Sequence, residues 1–339
     1  MSMAENIRIL KKLSLRKGAN AFRVYSSYYF SKLTKKNRHS GLPISIAIEP
    51  TTSCNLRCPE CPSGLRQFTR PTGMLEEKFF QRTIDELKDT LVYLTFYFQG
   101  EPYLNPKFLD MVNYASRRKI YTATSTNAHY LNEENAKRTV ESGLDRLIIS
   151  IDGTTQESYE SYRVGGQLEK VLEGTRNVIQ WKKKLKSKTP YVIFQFLVVK
   201  PNQHQVEDVK KLAAELNVDE VKFKTAQVYD FENGNSLIPT IDKYSRYKKN
   251  SKGGFDIKND LTDHCWRMWN SCVITWDGLV VPCCFDKDAT HQLGDLKNKS
   301  FSEVWRSPSY TNFRSAVLRS RKEIDICTNC TEGTKVWAE

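Results

Sequence analysis

The chain has 339 residues, of which 39% are hydrophobic and 27% are charged, a composition typical of a soluble globular protein. No run approaches the roughly 18 apolar residues of a membrane span, and the amino terminus lacks the apolar core of a signal peptide. We therefore expect a cytoplasmic protein. Nine cysteines, an odd number, favour metal binding over a disulfide framework in that compartment.

Most of the net charge of +13 lies in residues 1–43, which hold ten Lys or Arg residues against one acid, Glu5. The apolar residues of this segment recur at helical spacing, for example at Phe22, Tyr25, Tyr29 and Leu33. Such a segment can lie on an anionic membrane or an acidic partner. The simpler interpretation is one or two helices packed on the main domain with a solvated basic face. We expect no nucleic-acid binding, because no recognisable binding module accompanies the charge.

From residue 44 onward, apolar β-rich runs alternate with helical stretches. The six runs cover residues 44–50, 91–98, 119–126, 145–152, 191–199 and 219–225. The five helical stretches cover residues 75–89, 106–118, 132–143, 167–186 and 204–217. Repeated strand–helix units imply a parallel sheet, either an open barrel or a doubly wound sheet, with the chemistry at the carboxyl ends of the strands.

The rhythm of strands and helices breaks near residue 230. Residues 229–261 are rich in Asn, Gly, Ser and Asp, which is typical of a loop-rich linker. We therefore expect a basic helical extension over residues 1–43, a main α/β domain over 44–228 and a compact second domain over 262–339.

Three cysteines, Cys54, Cys58 and Cys61, directly follow the first predicted strand in a C-x3-C-x2-C pattern. Thiolates are the usual ligands of iron–sulfur clusters, and a [4Fe–4S] cluster takes four. Three protein ligands leave one iron open to a small molecule, as an open position does in a catalytic zinc site. The alternative is a structural zinc site completed by a distant cysteine.

This pattern, placed after the first strand, resembles the radical S-adenosylmethionine superfamily. The resemblance implies a partial (β/α)6 TIM-like barrel that binds S-adenosylmethionine at a [4Fe–4S] cluster and cleaves it reductively to a 5′-deoxyadenosyl radical. It also implies cofactor contacts at the strand ends, namely Gln99, Gly100, Glu101, Pro102, Ser125, Asn127, Ser150, Asp152 and Arg163. Two positions depart from the family pattern: Gln99 replaces a glycine, and Glu60 replaces an aromatic residue. Each short motif on its own also fits an ordinary turn.

The other six cysteines lie between residues 265 and 330. Asp277 and Gly278 predict a hairpin turn that ends near Cys283. The spacing resembles the SPASM/twitch domain, which implies one auxiliary [4Fe–4S] cluster held by Cys265, Cys283, Cys327 and Cys330. We expect Cys272 to pack as a small apolar residue and Cys284 to stay outside the ligand set. A zinc ribbon is the alternative.

The resemblance implies a radical oxidoreductase that dehydrogenates a small polyol or sugar, with an electron donor such as flavodoxin or ferredoxin. A peptide or protein side-chain maturase is the alternative. A hypothesis from another class is a non-catalytic iron–sulfur or zinc protein that binds nucleic acid. No catalytic base is identified, since Tyr97, His129 and Glu60 are merely near the predicted mouth of the barrel.

Overall fold

The computed structural model describes residues 3–330, so the last nine residues of the predicted domain 262–339 lie outside the described residues. Each of the six predicted runs contains a strand. The strands are β1 (Ser45–Ile48), β2 (Tyr93–Thr95), β3 (Tyr121–Thr126), β4 (Arg146–Ser150), β5 (Tyr191–Val198) and β6 (Glu220–Thr225). They are parallel and neighbour one another in chain order, which confirms the barrel-type arrangement and excludes a doubly wound order.

Helices precede and separate these strands. They are α1 (Met3–Lys11), α2 (Leu15–Thr34), α3 (Pro62–Leu65), α4 (Glu77–Leu87), α5 (Phe108–Arg117), α6 (Glu133–Glu141), α7 (Gln156–Glu160), α8 (Leu168–Lys184) and α9 (Val206–Glu215). Helix α6 begins where the Asn132 side chain accepts from Asn135 N, and the chain turns after it at Gly143, whose φ is 78°. The apolar faces of α4 and α5, including Phe80 and Met111, pack into the same core as Leu94 and Phe96 of the second strand segment.

The C-terminal part of the chain extends the same sheet. Strand β9 (Ser271–Ile274) pairs in parallel with β1, and β10 (Leu279–Val281) and β11 (Gly294–Asp295) continue the sheet beyond it in antiparallel pairing. The turn between β9 and β10 contains Gly278 at φ 93°, so the predicted hairpin is confirmed. The remaining helices are α10 (Trp266–Asn270), α11 (Phe301–Trp305), α12 (Pro308–Arg319) and α13 (Asp325–Thr328). The division into domains stays a prediction.

The stretch predicted to be a loop-rich linker contains a small hairpin. Strands β7 (Tyr247–Lys249) and β8 (Phe255–Ile257) pair in an antiparallel manner, and Phe231 stacks on Tyr247 at 4.6 Å between ring centroids. The hairpin is short and its neighbours are polar, which is why composition alone indicated a loop.

The two N-terminal helices pack on the rest of the chain, as predicted, and several of their contacts lie at the amino ends of the barrel strands. Glu5 of α1 is fully buried and accepts from Tyr121 Oη at 2.9 Å and Arg146 Nε at 2.5 Å. Lys12 pairs with Asp145, and Lys17 Nζ donates to Lys119 O at 2.6 Å. These two lysines do not belong to the expected solvated basic face, because the barrel end offers them acceptors. Within residues 3–330, no helix is long and apolar enough to cross a membrane.

Candidate active site

The three-cysteine loop lies at the carboxyl end of β1, and α3 begins directly after Cys61. Cys58 is buried, and Cys54 and Cys61 are partly buried. The three thiols lie within electrostatic range of one another. Burial raises the pKa of Cys54 to about 12, so the protein alone keeps this group as a thiol. Coordination to a metal is what deprotonates such a group.

Gly100 follows β2 and brings the chain at this end of the strand against the cysteine loop. Its φ is 73°, and a Cβ at this position would lie 2.2 Å from Thr51 O. The next residue, Glu101, donates its backbone N–H to Ser53 O at 2.8 Å. No side chain fits at residue 100, because the two backbones touch.

The carboxylate of Glu101 is buried and hydrogen-bonded. It accepts from Thr126 Oγ1 at 2.7 Å, Asn127 N at 2.8 Å and Tyr103 N at 3.3 Å. Burial raises the pKa of Glu101 to about 7, although these donors favour the ionised form. Glu101 therefore fixes the end of β3, and its predicted contact with the cofactor stays a prediction.

Gln99 lies beside the third cysteine. Its Oε1 is 3.8 Å from Cys61 Sγ and 3.4 Å from Ser63 Oγ. Ser63 Oγ in turn accepts from Gly100 N at 2.9 Å, and Pro102 opens a short buried turn. Sequence reasoning missed Ser63, because a serine in the first turn of a helix is common and carries no distinguishing pattern.

Asp152 and Arg163 form an ion pair next to Cys58. Arg163 Nε donates to Asp152 Oδ2 at 2.5 Å, and Arg163 Nη1 lies 3.7 Å from Cys58 Sγ. The other oxygen of Asp152 accepts from Leu197 N at 2.7 Å. Both oxygens of Asp152 are thus engaged, and this carboxylate orients Arg163 over the cysteine.

The ends of β3 and β4 contribute small polar groups to the same edge. Ser125 Oγ and Ser150 Oγ are 3.4 Å apart. Asn127 Nδ2 donates to Asn55 Oδ1 at 2.8 Å and lies 4.0 Å from Cys54 Sγ. The structure therefore brings Asn127 to the cysteine loop and places Ser125 and Ser150 side by side at the carboxyl ends of their strands.

His129 has a local structural role. Its Nδ1 lies 2.9 Å from Asn127 O, and its Nε2 accepts from Gln167 N at 2.8 Å. Both ring nitrogens therefore tie loops together, which leaves neither available to act on a substrate in this arrangement.

The C-terminal cysteines also lie close together. Cys283 is within electrostatic range of Cys265 and Cys330, and burial raises its pKa well above the ordinary value, with Cys284 adding to the effect. The buried Arg321 is within the same range of Cys330, Cys265 and Cys327. Four thiols therefore surround one region of the C-terminal part.

The two remaining cysteines differ in environment. Cys272 is buried in the core on β9, which confirms the expectation that it packs as a small apolar residue. Cys284 is exposed and lines a cavity, and its place outside the ligand set stays a prediction. Among the described residues, no three His, Cys, Asp or Glu side chains are arranged to hold a single metal ion.

A cavity of about 410 Å³ occupies the interior of the open barrel. Glu60 and Gln99 line it on the side of the three-cysteine loop, and Cys283 and Cys284 line it on the C-terminal side. Its charged lining residues are Glu60, Lys224, Arg246, Arg267 and Lys287. Burial lowers the pKa of Lys224 to about 8, and the nearby Arg246 adds to this effect. The cavity is therefore predominantly basic and lies between the two groups of cysteines.

The segment after the cysteine loop is held by buried polar contacts. Arg70 donates to both oxygens of Glu49, at 2.8 and 2.6 Å, and both side chains are buried. Asp288 accepts from Thr69 N at 3.0 Å. These contacts tie the loop to the C-terminal part, and nothing in the local sequence indicates them because the partners are far apart along the chain.

Comparison with protein families gives two matches. Residues 48–213 match the Radical SAM superfamily, and residues 265–331 match the SPASM iron–sulfur cluster-binding domain. The first match begins at the last residue of β1 and covers the three-cysteine loop and β2–β5, and the second covers all six C-terminal cysteines.

Individual relatives extend over most of the chain. The tungsten-containing aldehyde ferredoxin oxidoreductase cofactor-modifying protein of Pyrococcus furiosus is 26% identical over 313 residues, which are 84% of this chain and 86% of the relative. The PqqA peptide cyclase of Gluconobacter oxydans is 24% identical over 319 residues, 87% of this chain and 84% of the relative. The solved structure of Streptococcus suis SuiB bound to S-adenosylmethionine is similar in fold, with a TM-score of 0.64 at 14% identity over 90% of this chain and 75% of SuiB.

Proposed function

The chain belongs to the radical S-adenosylmethionine superfamily and carries a SPASM domain, and on this premise we propose that it oxidises a substrate held between its two groups of cysteines. These two domains imply S-adenosylmethionine and [4Fe–4S] clusters, with an auxiliary cluster in the SPASM domain. The observation that carries the proposal is the cavity, which Glu60 of the three-cysteine loop lines on one side and Cys283 of the C-terminal group lines on the other.

We assign the cluster that binds S-adenosylmethionine to Cys54, Cys58 and Cys61. We assign the auxiliary cluster to Cys265, Cys283, Cys327 and Cys330. The donor sets support this assignment, since soft thiolates suit iron–sulfur clusters and each set lies within one shared region. When bound, the cofactor and its cluster supply an oxidant that removes one hydrogen atom from a substrate, and the auxiliary cluster supplies an acceptor for one further electron.

The surrounding residues hold and orient these groups. Arg163, fixed by Asp152, presents its guanidinium to Cys58 and to the space beyond it. The segment Gln99–Pro102 and Asn127 border the same loop, and Ser125 and Ser150 lie at the neighbouring strand ends. These groups offer donors and acceptors to a nucleoside bearing an amino acid. Glu101 acts chiefly by holding the loops together.

The loss of a second electron from the substrate releases a proton, and Glu60 is the proposed acceptor. It is the acidic residue among those that line the cavity. Burial raises the pKa of Glu60, although Tyr229 N donates to its Oε2 at 3.0 Å and opposes the shift. A carboxylate whose pKa lies above the ordinary value is a stronger base near neutral pH.

An acidic peptide is the favoured substrate class. The relative from Gluconobacter oxydans is named a PqqA peptide cyclase, and a second relative is named a cofactor-modifying protein. The basic lining from Lys224, Arg246 and Arg267 favours a substrate with carboxylate groups. Part of this positive charge also balances the nearby thiolates, because Lys287 and Arg246 lie in electrostatic range of cysteines.

A small polyol is the second candidate. The count of four proposed ligands for one auxiliary cluster supports it, since peptide maturases of this group usually carry more cysteines. A cationic amino sugar fits poorly in a basic cavity, so a neutral or acidic sugar is the form to test.

The test uses protein reconstituted without oxygen, which should hold about eight irons per chain. With dithionite, or with a flavodoxin or ferredoxin as donor, it should convert S-adenosylmethionine to 5′-deoxyadenosine. Acidic peptides and neutral polyols with deuterium at carbon are then supplied in turn, and transfer of deuterium to 5′-deoxyadenosine identifies the class. A nucleic-acid-binding protein without catalysis would give no 5′-deoxyadenosine and would bind nucleic acid in a strongly salt-dependent manner.

A further inference from the structure

Helix α2 carries a stripe of exposed apolar side chains along its outer face. Leu15, Phe22, Tyr29 and Leu33 are 93%, 73%, 42% and 81% exposed. At 3.6 residues per turn and 1.5 Å per residue, they point within about 40° of one another along roughly 27 Å of helix. Phe30 is a further half-exposed side chain near this stripe. Contiguous exposed apolar surface of this kind marks an interaction site.

The inner face of α2 combines the core residues Val24 and Tyr28 with four buried polar residues, several of which are hydrogen-bonded. Asn20 Nδ2 donates to Leu42 O at 2.8 Å, and its Oδ1 accepts from Leu42 N at 2.9 Å. Ser31 Oγ accepts from Arg38 N at 3.0 Å, and Lys17 Nζ reaches Lys119 O. An ordinary surface helix turns its apolar side inward. On α2 the inward apolar residues are Val24 and Tyr28, which lie in the core, so the exposed stripe is a second apolar face that is not needed to attach the helix.

Basic side chains flank the stripe. On a regular helix, Arg16 and Arg23 lie on one side of it, about 115° and 95° from its centre, and Lys32 lies on the other side, about 85° from its centre. Arg16 also pairs with Asp89 at 3.1 Å. Glu5, the single acid of residues 1–43, is fully buried against Arg146 and so does not offset the surface charge.

An apolar centre with cationic flanks and several Tyr and Phe residues is the pattern of a helix that lies in the headgroup region of a membrane. We propose that α2 docks the protein on the surface of an anionic lipid bilayer. A second copy of the chain is a poorer occupant, because two basic segments of net charge +9 would face each other.

The position of α2 leaves the cavity accessible in the docked protein. Helix α2 contacts the chain just before β1 and β3, where Asn20 bonds to Leu42 and Lys17 Nζ donates to Lys119 O. Helix α1 contacts the amino ends of β3 and β4 through Glu5. The cysteine loop and its neighbours follow the carboxyl ends of the strands, at the opposite edge of the barrel. Docking through α2 therefore orients the barrel mouth away from the lipid, toward substrates and electron donors in solution.

The experiment is vesicle flotation of the full-length protein, with phosphatidylcholine vesicles and with vesicles that contain roughly one-third phosphatidylglycerol. We expect about tenfold more bound protein on the anionic vesicles, and a loss of that excess near 1 M salt. The double variant Phe22→Ser/Leu33→Ser should lose most of the binding. Ile241→Ser, at an apolar position that is 42% exposed elsewhere, is the matched control and should bind like the wild type.

Formation of 5′-deoxyadenosine is measured on the same samples, and the double variant should retain it, because the stripe lies at the other edge of the barrel. This readout separates a failure of docking from a failure of the proposed function. Equal binding of wild type and double variant to anionic vesicles would overturn the proposal. So would a dimer that the double variant dissociates, without any vesicle binding, since the second copy would then be the occupant.

Discussion

The two groups of cysteines are built in different ways. Cys54, Cys58 and Cys61 come from one loop after β1, and the ends of β2, β3 and β4 surround them with hydrogen-bonded polar side chains. The C-terminal cysteines come from distant positions between residues 265 and 330, and a hairpin and a short helix bring them together. A [4Fe–4S] cluster takes four thiolates. The first group has three cysteines, one fewer than this number, whereas the C-terminal part has six, two more.

This difference indicates that the two groups of cysteines hold clusters with different roles. A loop that supplies three ligands and a shell of polar groups suits a cluster that binds a small molecule. A set of four thiols gathered from distant positions suits a cluster that is fully held by protein and transfers electrons. Variants should therefore separate the two groups by what they abolish.

The largest contrast is between Cys54→Ala and Cys265→Ala. Cys54→Ala should reduce formation of 5′-deoxyadenosine below detection, because two thiols cannot hold the cluster in place. Cys265→Ala should retain that formation but lose turnover of the true substrate, because the electron acceptor is lost. Both products are measured by chromatography with dithionite as reductant.

The matched control is Cys284→Ser, which should keep about eight irons and full turnover if this residue lies outside the ligand set. Substrate turnover that persists in Cys265→Ala would contradict the proposed role of the second group.

A smaller effect on substrate turnover is expected from a change at Glu60, which lines the cavity between the two groups of cysteines. Glu60→Gln keeps the size of the side chain and an acceptor for Tyr229 N, but it cannot take up a proton. Turnover of the substrate should fall by at least about 10²-fold, while formation of 5′-deoxyadenosine changes little. Unchanged turnover would mean that the proton leaves by another route.

The variant Asp152→Asn tests whether Asp152 positions Arg163 next to Cys58. The amide lacks the negative charge that orients Arg163, and it replaces one of the two acceptor oxygens with a donor, so Arg163 Nε and Leu197 N cannot both keep their acceptor. We expect formation of 5′-deoxyadenosine to fall by about 10- to 100-fold, with the iron content retained. The matched variant Asp256→Asn, on the hairpin of the linker segment, should have no effect. A normal rate in Asp152→Asn would show that Arg163 is not positioned through this pair.

The smallest effect that we expect is on stability, and it concerns His39, which contacts the helix that follows Cys265. Burial, followed by the charge of Arg314, lowers the pKa of His39 to about 3, and its Nε2 lies 3.0 Å from Trp269 O in the helix that follows Cys265. The unfolded chain binds the proton below about 6.5, whereas the folded protein resists it until about 3. Stability should therefore fall as the pH drops through this window.

His39→Gln removes this titration. The urea midpoint of the variant should change less than that of the wild type between about pH 7.5 and pH 5, and His204→Gln on the surface should behave like the wild type. Parallel losses in His39→Gln and wild type would assign the acid sensitivity to other groups.

Local patterns in the sequence predicted the parallel core and the cysteine loop. Apolar runs buried on both sides marked the six strands, and the position of Cys54 after the first run placed the loop at the correct edge. The capping residue Asn132 and the turn residue Gly278 were predicted because their backbone requirements are local.

Contacts between distant residues could not be predicted. Three examples join positions about 20 to more than 200 residues apart. They are the pairing of β9 with β1, the Arg70–Glu49 ion pair and the hydrogen bond from Thr69 to Asp288. The direction in which α2 faces was also missed, because apolar residues at helical spacing identify a face without identifying what covers it. The burial of Val24 and Tyr28 in the core and the hydrogen bonds made by Asn20 and Ser31 decide that direction.

The most direct measurement of the central claim is the electron paramagnetic resonance spectrum of reduced Cys265→Ala protein, with and without S-adenosylmethionine. This variant isolates the cluster of the three-cysteine loop. We predict that S-adenosylmethionine changes the g values of its signal, because the cofactor ligates an iron that the protein leaves open. An identical spectrum in both samples, from a protein that holds about four irons, would contradict the assignment of an open coordination site to this loop.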